Sequence, residues 1–213
     1  MKLYTIYTPS HKIMFDNYFK PSLIEGEYEL ASETRDQECS TGSYYQEGWN
    51  LTTYRKVEYF IKIAEENIGG IFVFSDVDIQ FFGRTKETLL EELGDYDIAA
   101  QNDTFNCMCS GFFICRSNER TIEMFKSMKD KYGEYKEDQD ALNKNRHIAK
   151  WKFLSGKFFT FGQLAGTVWT GQDFITPKDI LMHHANWTMG VDNKIKLLEK
   201  VKEQMAQPNT YKI

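Results

Sequence analysis

The chain has 213 residues, a formal net charge of −5, 41% hydrophobic residues and a heavy aromatic load of 16 Phe, 12 Tyr and 4 Trp against 4 Pro. That length suits one folded unit with a sizeable core, and the composition excludes a disordered chain. The acidic balance argues against a nucleic-acid partner, since neutralising phosphates takes clustered Lys and Arg, and no apolar run approaches the roughly 18 residues of a membrane span.

Residues 1–9 are too short and too polar for a secretory signal, so the expected compartment is the cytoplasm. Cys39, Cys107, Cys109 and Cys115 lack C-x-x-C spacing, which speaks against structural zinc and for free thiols. Glycan-acceptor sequons at Asn50, Asn102 and Asn186 are then expected to be idle.

Residues 3–8 read as a first strand, closed by Thr8-Pro9-Ser10, and a helical stretch follows over 13–19, ending near Pro21. Residues 28–32 read as a second strand. The polar run 33–48 is a long surface loop of a kind that is often functional. From 51 to 67, Val57, Phe60, Ile61 and Ala64 recur at helical spacing until Gly69-Gly70 stops the helix. Ile71-Phe72-Val73-Phe74 is short, β-branched and aromatic, a buried strand. A helix over 85–93, strands over 97–101 and 111–115 and an amphipathic helix over 118–131 come next. A short helix over 138–143, edge strands over 151–154 and 158–161, and a terminal helix over 194–205 complete the series. This alternation predicts an α/β fold, a single Rossmann-like domain with a mainly parallel central sheet flanked by helices.

Four segments carry chemistry. Asp76 and Asp78 close the 71–74 strand, at the end where open α/β sheets bind ligands. Two such carboxylates at about 4 Å repel by about 4 kcal/mol at an effective dielectric near 20. A divalent cation reverses that sign, and oxygen ligands suit Mg²⁺ or Mn²⁺ alongside substrate phosphates. The bland alternative is a strand end running into a solvated turn. Gly111, in Ser110-Gly111-Phe112-Phe113, permits close approach of a backbone or a ligand, and reads first as a packing glycine. Asp138-Gln139-Asp140 opens a helix, where acids serve the cap and the macrodipole, but Gln139 has no capping purpose. His183-His184 supplies imidazole. Gly190 ahead of a helix with Lys194 in its first turn suits a diphosphate.

In this order the segments resemble the nucleotide-diphospho-sugar glycosyltransferases of the GT-A fold, with their Asp-x-Asp, Gly-Phe-Phe, Asp-Gln-x-x-Leu-Asn and His…Gly…Lys motifs. The likeness runs from Thr5 to about Leu198, with residues 1–206 as the transferase domain and 207–213 as a tail or cut linker. A compact form without an export signal also resembles the glycosyltransferase domains that large viruses encode for capsid glycans. The resemblance implies that Asp76 and Asp78 hold Mn²⁺ or Mg²⁺ against the donor's phosphates. His184 would complete that site, with His183 as the alternative because neighbours in an extended segment point opposite ways. It further implies Lys194 and Gly190 at the diphosphate, Thr8 near the base, and Arg55 and Lys56 against the donor. Asp138, Gln139 and Asp140 are the implied catalytic residues beside the sugar, acting with retention. The implied donor is a UDP-sugar and the acceptor a glycan or glycoprotein hydroxyl. The spacing from His184 to Gly190 is longer than in relatives with His-x-x-Gly-x-x-Lys.

Two rival readings use the same residues. Haloacid-dehalogenase-like phosphatases also place Asp-x-Asp after an apolar strand, which would make Asp76 a nucleophile. They carry it near the N-terminus, however, with Thr or Val where Gln80 stands here. A carbohydrate-binding module without turnover would use Trp169, Trp187 and residues 158–161 for sugar stacking.

Overall fold

The alternating and continuous apolar runs condense into strands β1 (Lys2–Tyr7), β2 (Glu29–Thr34), β3 (Ile71–Ser75), β4 (Ile79–Phe81), β5 (Ile98–Asn102), β6 (Met108–Arg116), β7 (Trp151–Phe153), β8 (Phe158–Thr160) and β9 (Met182–His184). The helices are α1 (Lys12–Met14), α2 (Lys20–Ser22), α3 (Trp49–Glu66), α4 (Lys86–Leu93), α5 (Glu119–Asp130), α6 (Asp138–Asn145), α7 (Phe161–Ala165) and α8 (Val191–Ala206). This computed structural model describes residues 1–207; all but the first residue of the expected 207–213 tail lies outside the described residues.

The central sheet has the order β2-β1-β3-β6-β5-β7. β1 pairs in parallel with β2 and β3, and β5 with β7, whereas β6 runs antiparallel to both β3 and β5. Five strands therefore share one direction and β6 is reversed. The sheet is mainly parallel, as expected, and the reversal comes from a tight β5–β6 hairpin where helix-spaced connections were the rule elsewhere.

Side-chain alternation along β3 and β6 explains why both read as unbroken apolar runs. Val73, Phe112 and Ile114 enter one core with Leu3, Phe158, Leu197 and Leu198. Phe72, Phe74, Phe113 and Cys115 enter the other, under α3 and α5, with Phe60 and Phe125. A strand covered on both faces has no polar side to alternate with. The second core is aromatic: Phe113 stacks on Phe74 at 5.4 Å and meets Phe60 edge-on at 5.2 Å.

Three local expectations need correction. The 13–19 helix is part of an irregular helical run over 9–22 with a π-helical turn at Phe15–Phe19, which lines up two buried rings 5.9 Å apart. Pro21 lies inside that run, in α2, and the helical run continues one residue beyond it before ending at Ser22. β4, β9 and β8 build a second small sheet. Strands of three residues are too short for periodicity to reveal. All four cysteines are free.

Truncating Phe113 leaves a cavity in a close-packed aromatic cluster. Phe113→Ala is expected to lower stability by about 3–5 kcal/mol, read as a reduced urea midpoint at unchanged slope. A loss below about 1 kcal/mol would show that the cluster repacks.

Candidate active site

Strand β3 ends at Ser75, and the next three residues turn across the carboxyl ends of the central sheet. Backbone bonds pin this turn from both sides: Asp76 N donates to Gly111 O at 2.7 Å and Ala185 N donates to Asp78 O at 2.9 Å. Val77 is buried, so Asp76 and Asp78, one residue either side, face the cleft together. His184 comes from β9, where it pairs in register with Ile79. Its Nε2 lies 3.2 Å from Asp78 Oδ1. One ligand atom from each of Asp76, Asp78 and His184 lies within 4.8 Å of the others.

These residues floor a cavity of about 700 Å³. Thr8, Lys56, Asp138, Gln139, Gly190 and Lys194 all line it, so residues spread over most of the chain converge on one cleft. Lys194, in the first turn of α8, bonds Asp78 Oδ2. Lys56, projecting from α3, donates to Asp76 Oδ2 at 2.8 Å and lies 3.1 Å from Asp138 Oδ2. Asp138 Oδ2 is nonetheless buried without a hydrogen-bond partner, because Lys56 approaches it off the bonding direction. Three carboxylates against two lysines leave one negative charge in excess at the floor.

Residues 22–198 match the sequence model of the nucleotide-diphospho-sugar transferase family. The chain belongs to that family. Among solved structures, the transferase is similar in fold to the galactosyltransferase LgtC in complex with donor and acceptor sugar analogs. That likeness has a TM-score of 0.58 and 13% identity, covering 100% of this chain and 98% of that one. A glycosyltransferase involved in glycosylation of the major capsid of PBCV-1 gives 0.61 at 9% identity, covering 94% and 100%. GlyE of Streptococcus pneumoniae TIGR4 gives 0.58 at 13%, covering 100% and 66%. At such identities the likeness is one of fold. No curated protein matches the sequence. The family match, with the Asp76–Asp78–His184 cluster, makes the protein a glycosyltransferase with a candidate divalent-metal site and removes the phosphatase reading.

The cluster fits a metal on two observations. First, Gly111 keeps the floor open: a Cβ there would lie 2.5 Å from both Asp76 Oδ2 and His184 Cε1. The close-approach reading of this glycine is the one the geometry supports. Second, the His184 ring is oriented for ligation. Gln101 Nε2 donates to Phe158 O at 3.1 Å, so its Oε1 faces His184 Nδ1 at 2.9 Å. That makes Nδ1 a donor to Gln101 and leaves Nε2, on the Asp78 side, as the atom that would ligate a metal. His183 points the other way, its ring 5.8 Å from Phe159, with both nitrogens unpartnered and its pKa pushed down to about 3 by burial.

The acids of the floor differ in charge behaviour. Burial raises the Asp76 carboxyl and Lys56 opposes the rise. Burial acts the same way on Asp78, but Lys194 and His184 outweigh it and hold that carboxyl well below the usual range. At the far end, His11 closes against Thr8 and Ser10, its pKa lowered to about 4 by burial and by Lys194.

Several expected residues sit differently. Arg55 lines the same cavity as Lys56 but is more exposed and pairs with Glu58 at 2.8 Å, since it lies one helical position away. Asp140 is a correction: it lies outside the cavity, accepting from Lys136 N at 3.1 Å and from Lys144 at 3.0 Å, the helix-start role that acids there serve. Trp169, Phe158, Phe159 and Phe161 are buried core and Trp187 alone of that aromatic set lines the cleft, because strand β8 and the following turn face inward. Three residues escaped the sequence reading. Asp103 accepts from Trp187 Nε1 at 2.9 Å, from Gln139 Nε2 at 3.1 Å and from Asn186. Gln101 was visible only as an amide ending an apolar strand. Glu137 sits beside Asp138, and Tyr44 donates to it at 3.2 Å.

Burial first, then neighbouring Asp138, push the Glu137 carboxyl from its ordinary 4.5 up to about 7. An acid whose native pKa exceeds its unfolded value holds its proton more tightly when folded, so its contribution is lost as pH rises through that interval. The melting temperature of the wild type should therefore decline more between pH 4.5 and about 7 than that of Glu137→Gln. Parallel curves would remove Glu137 from this account.

Proposed function

We propose that the protein transfers a sugar from a UDP-sugar to a hydroxyl of a glycan acceptor, using Mn²⁺ or Mg²⁺ and retaining the anomeric configuration. The observation that carries this reading is the Asp76–Asp78–His184 cluster facing the same cleft as Lys194 and the amino end of α8.

Asp76, Asp78 and His184 are the ligand set. A divalent cation held there supplies charge neutralisation for the departing diphosphate. Gly190, at φ 79°, lets the chain turn into α8 so that its first N–H groups and Lys194 are available to phosphate oxygens. Lys194 then exchanges its bond to Asp78 for one to the leaving group, stabilising negative charge as it develops. Thr8, at the end of β1, marks the nucleoside end of the cleft. The family likeness supports uridine as the base.

At the sugar end, Asp138 Oδ2 is a buried acceptor in want of a donor, which a sugar hydroxyl supplies. Gln139 has its Nε2 committed to Asp103, leaving its carbonyl oxygen for the electron-poor sugar carbon. Asp103 is poorly placed to act as a base, since three donors already occupy its oxygens. That Asp103 is so occupied supports retention, which needs no separate base opposite the leaving group.

The test is a thermal-shift series. UDP with Mn²⁺ should raise the melting temperature, by the equivalent of about 2.7 kcal/mol at a hundredfold excess over Kd. The shift should vanish in Asp78→Asn, and a shift equally large in chelator overturns the metal role. In the same series Gln101→Leu, which leaves the three ligands intact, should weaken Mn²⁺ binding by about 10- to 100-fold; an unchanged titration would show that the His184 tautomer is set otherwise.

A further inference from the structure

The β5–β6 hairpin closes through a turn in which Cys107 N donates to Thr104 O at 3.0 Å. Its two central residues, Phe105 (φ 48°) and Asn106 (φ 66°), both adopt left-handed backbone. Such a turn favours Asn, Asp and Gly at these positions. Asn106 meets that preference. Phe105 does not, because a bulky side chain with positive φ is strained.

The strain presents the ring to solvent. Phe105 is 84% exposed, the most exposed large apolar side chain among the described residues. One edge of the ring lies against the backbone of Gly166, where an added Cβ would come within 3.2 Å of Cζ. The ring thus bridges two segments that both wall the cleft. Asp103, two residues before it, organises Trp187, Gln139 and Asn186 inside the cavity, and Val168, two residues beyond Gly166, lines the same cavity. Leu164 and Val168 extend the apolar surface.

The surroundings carry little charge, the exception being Arg146, whose Nη1 donates to Asn106 O at 2.9 Å. Residues 104–109 and 161–172 contain no Asp, Glu, Lys or Arg. A neutral pyranose ring, with one C–H face and a polar rim, matches an aromatic plate flanked by Thr, Asn and Gln.

We infer that Phe105 is an acceptor-binding residue: its ring is a stacking platform for a neutral saccharide that enters the cleft over the 161–172 segment, on the side opposite the nucleoside. This rests on the proposed transferase reading, in which the donor fills the cleft between Thr8 and Gln139.

The experiment compares wild type, Phe105→Gly and Phe105→Tyr with Mn²⁺ present, following turnover of UDP-glucose and UDP-galactose by water alone. It then measures transfer to lactose, maltotriose and chitotriose. Phe105→Gly should leave hydrolysis unchanged and raise the KM for whichever saccharide is used by roughly three- to tenfold, the effect of one aromatic contact. Phe105→Tyr should retain the wild-type KM. The glycine variant should melt at the same or a higher temperature, since glycine adopts positive φ freely. A fall in melting temperature with unchanged KM would make the ring a structural prop and overturn the proposal. Loss of a dimer on sedimentation with unchanged KM would overturn it in favour of a contact between two copies. If none of the three saccharides is used while hydrolysis proceeds, the platform fails and the donor reading stands; if neither donor is hydrolysed nor UDP bound, both fail.

Discussion

Two like charges at the end of a buried strand are the constraint on which the rest of the active site depends. Asp76 and Asp78 would repel one another in the low-dielectric cleft, and the fold answers by bringing opposite charge from two distant segments, Lys56 from α3 and Lys194 from α8, with the His184 imidazole of β9 beside Asp78. The compensation is incomplete by one charge once Asp138 is counted. That deficit suits a divalent ion. A site built this way is held together by the same electrostatics that its ligand later uses.

The reversed strand β6 supplies the space. Because β6 runs antiparallel beside β3, Gly111 comes opposite the turn after Ser75, and its missing side chain leaves room above the acids. A fully parallel strand would have carried its far end away through a crossover helix. The two aromatic and aliphatic cores clamp β3 and β6 from both faces, so the floor of the cleft is rigid. Preorganised polar groups stabilise developing charge without first having to reorganise, which is what a rigid floor provides.

The cleft divides by chemistry along its length. Thr8, Ser10 and a neutral His11 mark one end, the acids and lysines the middle, and Asp103 with Trp187, Asn186 and Gln139 the other. Asp103 acts on its neighbours more than on solvent: by accepting from three side chains it fixes an indole, two amides and the wall between them. Outside that wall the surface turns more apolar, and the strained Phe105 turn lies at the transition.

Much of this was legible in the linear chain, and the division follows from range. Residues whose chemistry depends on immediate neighbours could be read directly: the apolar run ending in Asp76 and Asp78, the amphipathic helices, and Gly190 ahead of Lys194. Their spacing alone identifies a strand terminus, a helix face or a helix start. Residues whose role is set by partners far along the chain could not. Gln101 matters because Phe158 O orients its amide, Asp103 because Trp187 lies 84 residues away in sequence yet within hydrogen-bond reach. Lys56 and Arg55 are indistinguishable as letters and separate only once α3 packs with one of them facing inward. His183 and His184 are likewise equivalent until β9 takes its register. Periodicity encodes which face a residue occupies; only the packed sheet decides what that face meets, because cross-chain distances depend on strand order and register, which local spacing does not record.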